Sequence, residues 1–251
     1  MPQVDNQGIR IYYEVEGNGP PLVLRQGGVS SLQAWRQTGY VERLKNDFQC
    51  VLIDARGRGK SDKPHVSSAY TLQAHVSDVV AVIDELKIQT SHYWGYSMGG
   101  WIGFGMAQHA PERLRSLIIG AAHPYEDLSF AAFQGIDGSD PDAFIAALEA
   151  TLQERIRTEL RSHVLANDLR ALAASMQVRS SMEAILPEMR MPCMLYVGEA
   201  DTRCSAVKSC AGRIAQATVV TLPGLNHREA MLRSDLVLPH VRRFLANLVE
   251  R

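Results

Sequence analysis

The sequence predicts an α/β protein: a mainly parallel, doubly wound sheet with a helical lid inserted after the sixth strand. Three observations carry that expectation. Strand-length apolar runs alternate with amphipathic helical stretches over residues 1–123 and again over 189–251. Between them, residues 124–188 carry helical patterning alone. The apolar runs end in Gly-rich turns that lead into helices. Such alternation implies parallel strands with helices on both faces.

Residues 9–16, Ile-Arg-Ile-Tyr-Tyr-Glu-Val-Glu, alternate well enough for an antiparallel edge strand. Gly17-Asn18-Gly19-Pro20-Pro21 is a turn. Residues 22–25 form a short buried strand ending in Gln26-Gly27-Gly28. A helix over 32–46 carries Trp35 and Leu44. Residues 48–54 are the next strand, followed by the turn 56–62. The helix over 71–87 is capped near Thr71 and buries Val76, Val79, Val80, Ile83 and Leu86. Strands follow at 91–95 and 114–119. In the helical block, Asp140-Pro141-Asp142 starts a helix, since proline suits the first turn. Strand 191–197, helix 205–215, strand 218–222 and a closing helix over 229–249 complete the chain. The block interrupts one alternating pattern and no Pro/Gly/Ser-rich linker flanks it. Residues 1–123 and 189–251 are therefore expected to form one core, with 124–188 as its cap.

Composition narrows the function. A chain of 251 residues, 46% hydrophobic, can bury one large core and carry an inserted lobe. A net charge of −1 offers no basic face, so nucleic acid is not an expected partner. The first residues, Met-Pro-Gln-Val-Asp-Asn, have neither the basic start nor the apolar run of a signal peptide. No apolar stretch approaches membrane-spanning length, so a cytoplasmic location off the membrane is expected. Cys50, Cys193, Cys204 and Cys210 lack paired metal spacing and read as reduced thiols. The eight histidines form no HxxxH or HExxH pattern, so no metal is expected.

The chain is organised around residues 91–106. A short strand runs into Gly95-Tyr96-Ser97-Met98-Gly99, and an apolar helix follows. A serine on so tight a bend adopts strained backbone angles, and side chains two residues away would collide. Glycine at 95 and 99 removes that collision. The bend lifts the Ser97 hydroxyl clear at a helix N-terminus, where free N–H groups favour negative charge. That geometry suits a nucleophilic serine.

Further segments repeat the theme at other strand ends. They are Gln26-Gly27-Gly28, Asp54-x-Arg56-Gly57-x-Gly59-x-Ser61, Gly198-Glu199-Ala200-Asp201 and Gly224-Leu225-Asn226-His227. With the Ser97 turn, they occur in the order found in the α/β-hydrolase fold family. The chain resembles that family over nearly its full length.

The resemblance implies a catalytic triad of Ser97, Asp201 and His227. A serine hydroxyl needs a base within reach, and a carboxylate holds that imidazole in one tautomer. His227 lies in a Gly-rich loop before the closing helix; His123, after another strand end, is its main rival and fits a pocket wall. Glu199 is the alternative acid. The backbone N–H groups of Met98 and Gly28 are expected to form the oxyanion hole. Here the sequence departs from the family: Gln26-Gly27 replaces the usual His-Gly pair, and Arg25 precedes it. Gln26 can brace the loop, whereas a buried Arg25 requires a carboxylate or the pocket mouth. Asp54 is expected to hold Arg56 or nearby N–H groups.

Trp35, Tyr96, His123 and Phe133 are candidate substrate contacts, and apolar lid residues are expected to form an acyl slot. The implied function is a cofactor-free serine hydrolase of small to medium carboxylic esters. Lactones, including N-acyl homoserine lactones, are the alternative substrates. Carbon–carbon bond hydrolysis and perhydrolysis use the same triad. A non-catalytic ligand-binding protein of this fold is the alternative of another class.

Overall fold

The apolar runs become the strands of one eight-stranded sheet in a computed structural model that describes residues 2–249. The strands are β1 (Gln3–Asn6), β2 (Ile9–Glu16), β3 (Pro21–Arg25), β4 (Gln49–Ile53), β5 (Ser91–Tyr96), β6 (Leu114–Gly120), β7 (Cys193–Gly198) and β8 (Ala217–Leu222). Their spatial order is β1-β2-β4-β3-β5-β6-β7-β8. β2 pairs antiparallel with both β1 and β4, and every other pairing is parallel. The sheet is thus mainly parallel, as expected. The sequence reading omits β1, whose exposed, polar Gln-Val-Asp-Asn gives little strand signal.

β5 and β7 are buried at every residue, which requires cover on both sheet faces. The cover comes from helices α1 (Gln33–Gln37), α2 (Tyr40–Leu44), α3 (Leu72–Glu85) and α4 (Met98–His109). Three more, α5 (Pro141–Leu152), α6 (Thr158–Leu165) and α7 (Leu169–Ser175), lie between β6 and β7. The last are α8 (Cys204–Ala211), α9 (His227–Leu232) and α10 (Ser234–Val249). The single helix expected over 32–46 is two, because Gly39 at φ 76° leaves the right-handed helical region. The closing helix is also divided, at Arg233, whose ψ of 60° is not helical.

The block between β6 and β7 builds an apolar cluster of its own. Phe130, Phe133, Phe144, Leu148, Val164 and Leu172 are buried within it. α5 starts as the Asp-Pro-Asp signal predicts: the Asp140 carboxylate accepts from Asp142 N at 2.9 Å and Ala143 N at 3.1 Å. From Met182 onward the chain packs with the main core again, through Ile185 and Leu186.

Register decides where the loops gather. Arg25 lies beside Gly95, Tyr96 beside Gly120, Gly120 beside Tyr196, and Gly198 beside Leu222. Parallel strands in this register bring the segments after β3, β5, β6, β7 and β8 to one edge.

Candidate active site

Ser97 sits between β5 and α4 with φ 53° and ψ −113°. A side chain at Gly95 would put its Cβ 2.1 Å from Gly99 O, and one at Gly99 would lie 2.2 Å from Arg25 O. The bend is therefore packed too tightly for any other residue at either place. Ser97 occupies the cap position of α4 but its side chain makes no cap bond, which leaves the hydroxyl free to turn outward.

His227 opens α9. Asn226 and Glu229 form a reciprocal capping box around it, with Glu229 N donating to Asn226 Oδ1 at 2.9 Å and Asn226 N to Glu229 Oε2 at 3.0 Å. The start of the helix is pinned, and the half-buried imidazole with it. Its Nε2 lies 3.0 Å from Ser97 Oγ, and its Nδ1 lies 2.7 Å from Asp201 Oδ2. An ionised carboxylate can only accept, so Nδ1 carries the proton and Nε2 faces the serine as an acceptor.

Asp201 is buried in the turn after β7. Burial alone would raise its carboxyl pKa. The His227 hydrogen bond and charge, with the Arg203 N–H and guanidinium, outweigh burial and hold it below the usual range. Arg203 N donates to Asp201 Oδ1 at 3.0 Å, and Arg203 Nη1 lies 3.6 Å from the same oxygen. Glu199, the other acid considered, is exposed. Ser97, Asp201 and His227 thus come together from three distant parts of the chain.

Met98 and Gly28 face one another beside the serine. A Cβ on Gly28 would lie 3.8 Å from Met98 Sδ, and one on Gly27 would lie 3.5 Å from Ser97 Cβ. As the first residue of α4, Met98 has an N–H with no helical carbonyl to reach. The Gly28 carbonyl accepts from Nε of the buried Arg58. Arg58 also donates to Gly57 O at 3.0 Å and to Ser175 Oγ, at the end of α7, at 2.7 Å. Gln26 contributes only a long 3.4 Å bond to Ser30 O, so Arg58 is the main brace of this loop.

Arg25 departs from expectation. It is buried and donates only to Ile53 O, at 3.1 Å; its Nε and Nη2 have no partner among the described residues. It reaches neither a carboxylate hydrogen bond nor the cleft; burial raises the Asp54 carboxyl pKa, and the Leu32 and Lys60 N–H groups and the Arg25 charge offset only part of that. Asp54 accepts from Leu32 N at 2.7 Å and Lys60 N at 2.8 Å, fulfilling the backbone-holding option. Arg56 instead pairs with Asp78 at 2.6 Å.

The cleft beside Ser97 is lined by Ala121, Ala122, His123, Asp127, Arg179 and Arg203. Its free volume is about 10 Å³, room for roughly one water. Of the four candidate substrate contacts, only His123 lines it. Trp35 is fully buried, edge-on to Tyr40 and Trp94 at 5.2 and 5.1 Å, and is a core residue. Phe133 stacks edge-on with Phe144 at 5.2 Å inside the helical block. Tyr96 supports the imidazole: its ring lies 5.5 Å from that of His227, and its hydroxyl donates to His227 O. The expected apolar slot is likewise replaced by polar walls, because the block's apolar side chains pack on one another. Sequence reasoning missed Asp127, Arg179 and Arg203. Only Arg203, two residues past Asp201, stood near a recognised motif.

Among the described residues, no group of three or more His, Cys, Asp or Glu could hold a metal ion. Among the same residues, no helix is long and apolar enough to cross a membrane.

A family model described as alpha/beta hydrolase fold matches residues 20–192. A Bacillus subtilis (strain 168) protein, provisionally named a 2-succinyl-6-hydroxy-2,4-cyclohexadiene-1-carboxylate synthase, is 28% identical over 231 residues, covering 80% of this chain and 82% of its own. The enol-lactonase from Burkholderia xenovorans LB400 has a TM-score of 0.84 at 21% identity, covering 98% of this chain and all 100% of that one. A malate-bound thermophilic esterase from Thermogutta terrifontis gives 0.83 at 22% identity, covering 98% of both chains. At these identities the structural likeness is one of fold.

Proposed function

This chain belongs to the α/β-hydrolase fold family, and we propose that it is a serine hydrolase of carboxylic esters. One observation carries the reading: Ser97 Oγ, His227 and Asp201 form an unbroken hydrogen-bonded relay at 3.0 and 2.7 Å. Ser97 Oγ attacks the ester carbonyl carbon while His227 Nε2 takes its proton. Asp201 stabilises the resulting imidazolium through Nδ1–H. The Met98 and Gly28 N–H groups receive the negative charge that develops on the carbonyl oxygen. Collapse expels the alcohol, which leaves with the proton from His227. Water, deprotonated by the same imidazole, then attacks the acyl-enzyme and releases the acid.

The same steps open a lactone, where the alcohol stays tethered to the product. The fold neighbour named an enol-lactonase supports testing that substrate class as well. The intact relay argues against a purely ligand-binding role.

We assign residues 1–123 and 189–251 to the catalytic core and 124–188 to its cap. The space beside Ser97 is about 10 Å³, so entry of an ester requires a shift of the cleft's side chains or of the cap. A panel of p-nitrophenyl esters and acyl lactones, run on wild type and Ser97→Ala, tests the reading. Wild type is expected to turn over at least one class, with Ser97→Ala reduced to background. Equal rates for the two proteins reject nucleophilic catalysis by Ser97.

A further inference from the structure

Resting on the serine hydrolase reading, we propose that Arg179 receives a carboxylate of the substrate, so that the natural ester or lactone carries a free acid group. Arg179 lines the same cleft as Ser97. Its guanidinium lies over two aromatic rings, with Cζ 4.8 Å from the centroid of Trp101 on α4 and 4.4 Å from that of Phe130 in the helical block. Among the described residues its side-chain N–H groups make no hydrogen bond and no ion pair, although a guanidinium carries five N–H donors in a fixed fork.

Asp127 and Arg179 attract each other, with no hydrogen bond or ion-pair contact between their side chains among the described residues, and one oxygen of Asp127 is already engaged. Asp127 accepts from Ser129 N at 3.0 Å and Ser129 Oγ at 2.5 Å. Asp201 holds His227 and Arg203. Asp127 and Arg179 also meet through the backbone: Asp127 N donates to Arg179 O at 2.9 Å, and Arg179 N to Asp127 O at 3.3 Å. That bridge fixes where the arginine side chain departs. Burial lowers its pKa to about 10, so it is still charged at neutral pH.

A charged fork held over two rings, with no hydrogen-bond partner among the described residues, matches the planar oxygen pair of a carboxylate, which it can bind in bidentate fashion. His123 stands on the same wall with Nδ1 buried and unpartnered among the described residues, and it supplies a further polar contact. The arrangement explains why the cleft is polar where an acyl slot would be apolar. Because Trp101 belongs to the core and Phe130 to the block above it, the site is complete only when the two are apposed.

The test compares mono-p-nitrophenyl succinate with p-nitrophenyl butyrate, esters of similar length that differ in the terminal acid. Wild type is expected to favour the succinate in kcat/KM. Arg179→Met should lower the succinate-to-butyrate ratio at least about 10-fold, the scale of a lost charge-assisted bond. Arg179→Lys, which keeps the charge and loses the fork, should fall between the two and decides the matter should Arg179→Met fail to fold. An unchanged ratio in both variants overturns the proposal. A second arm needs no turnover: succinate should raise the melting temperature of Ser97→Ala and not that of Ser97→Ala/Arg179→Met. Protection by succinate without ester cleavage by wild type keeps the carboxylate site and rejects the hydrolase reading. Cleavage with neither protection nor a changed ratio does the reverse. Stronger protection by inorganic phosphate than by succinate overturns the assignment of a carboxylate.

Discussion

The Tyr96 hydroxyl donates a hydrogen bond to the main-chain carbonyl of His227, and its ring lies 5.5 Å from the imidazole. Tyr96 immediately precedes Ser97, so a single residue couples the serine turn to the segment that carries His227. Its phenol is buried, which keeps it protonated and a donor throughout the working range.

Removing only the hydroxyl tests that coupling. Tyr96→Phe keeps the ring and loses one neutral hydrogen bond, a change of about 1 kcal/mol. The expected result is a kcat on the best p-nitrophenyl ester about fivefold lower, with KM little altered. A rise in KM at constant kcat would instead make Tyr96 a substrate contact.

Arg58 joins the Gly28 carbonyl to Ser175 at the end of α7. A lysine there cannot reach both partners in the same fork. Arg58→Lys should loosen the Gly28 loop, which we propose supplies an oxyanion donor, and lower kcat about 10- to 100-fold, less than or equal to the loss of a whole donor. Ser175→Ala, which cuts only the contact to α7, should cost much less. Steady-state kinetics on both variants decide it. An Arg58→Lys enzyme of wild-type kcat would mean that the loop holds itself.

Acid stability follows from two buried imidazoles. Burial, then Arg115, lowers the His92 pKa to about 4. His75 is lowered too, by burial first and then by Arg25, Arg56, Arg58 and Arg179. Between pH 6.5 and about 4, the unfolded chain binds protons at these sites that the folded chain refuses. Stability must therefore fall as the pH drops through that window. Melting temperature against pH should be flatter for His92→Gln than for wild type, with a residual slope from His75. Parallel curves would remove His92 from the account.

Much of this was legible in the residues. Ser97, Asp201 and His227 each follow a strand and sit in a turn with its own chemistry, so topology alone predicts their meeting. Gly95 and Gly99 marked the bend because no side chain fits there. The cleft walls were not legible. Trp35 and Phe133 looked like pocket residues because an aromatic near a strand end or in a helical block serves a core equally well. Their burial depends on Tyr40, Trp94 and Phe144, partners that no local pattern names. Arg179 lies in an irregular stretch after α7, and its rings come from positions 101 and 130. Arg58 reads as a turn residue until its contact with Ser175, 117 positions away, is seen. Periodicity and turn chemistry report local structure; which side chains share a cavity is decided by packing across the chain.

The central claim is that Ser97 is a nucleophile activated by His227. Treatment with a fluorophosphonate, followed by peptide mass spectrometry, tests it without knowledge of the natural substrate. The account predicts one phosphonyl adduct on the peptide containing Ser97, none on that peptide in Ser97→Ala, and labelling slowed at least about 100-fold in His227→Ala. An unmodified Ser97 in folded protein, or equal labelling rates with and without His227, would contradict it.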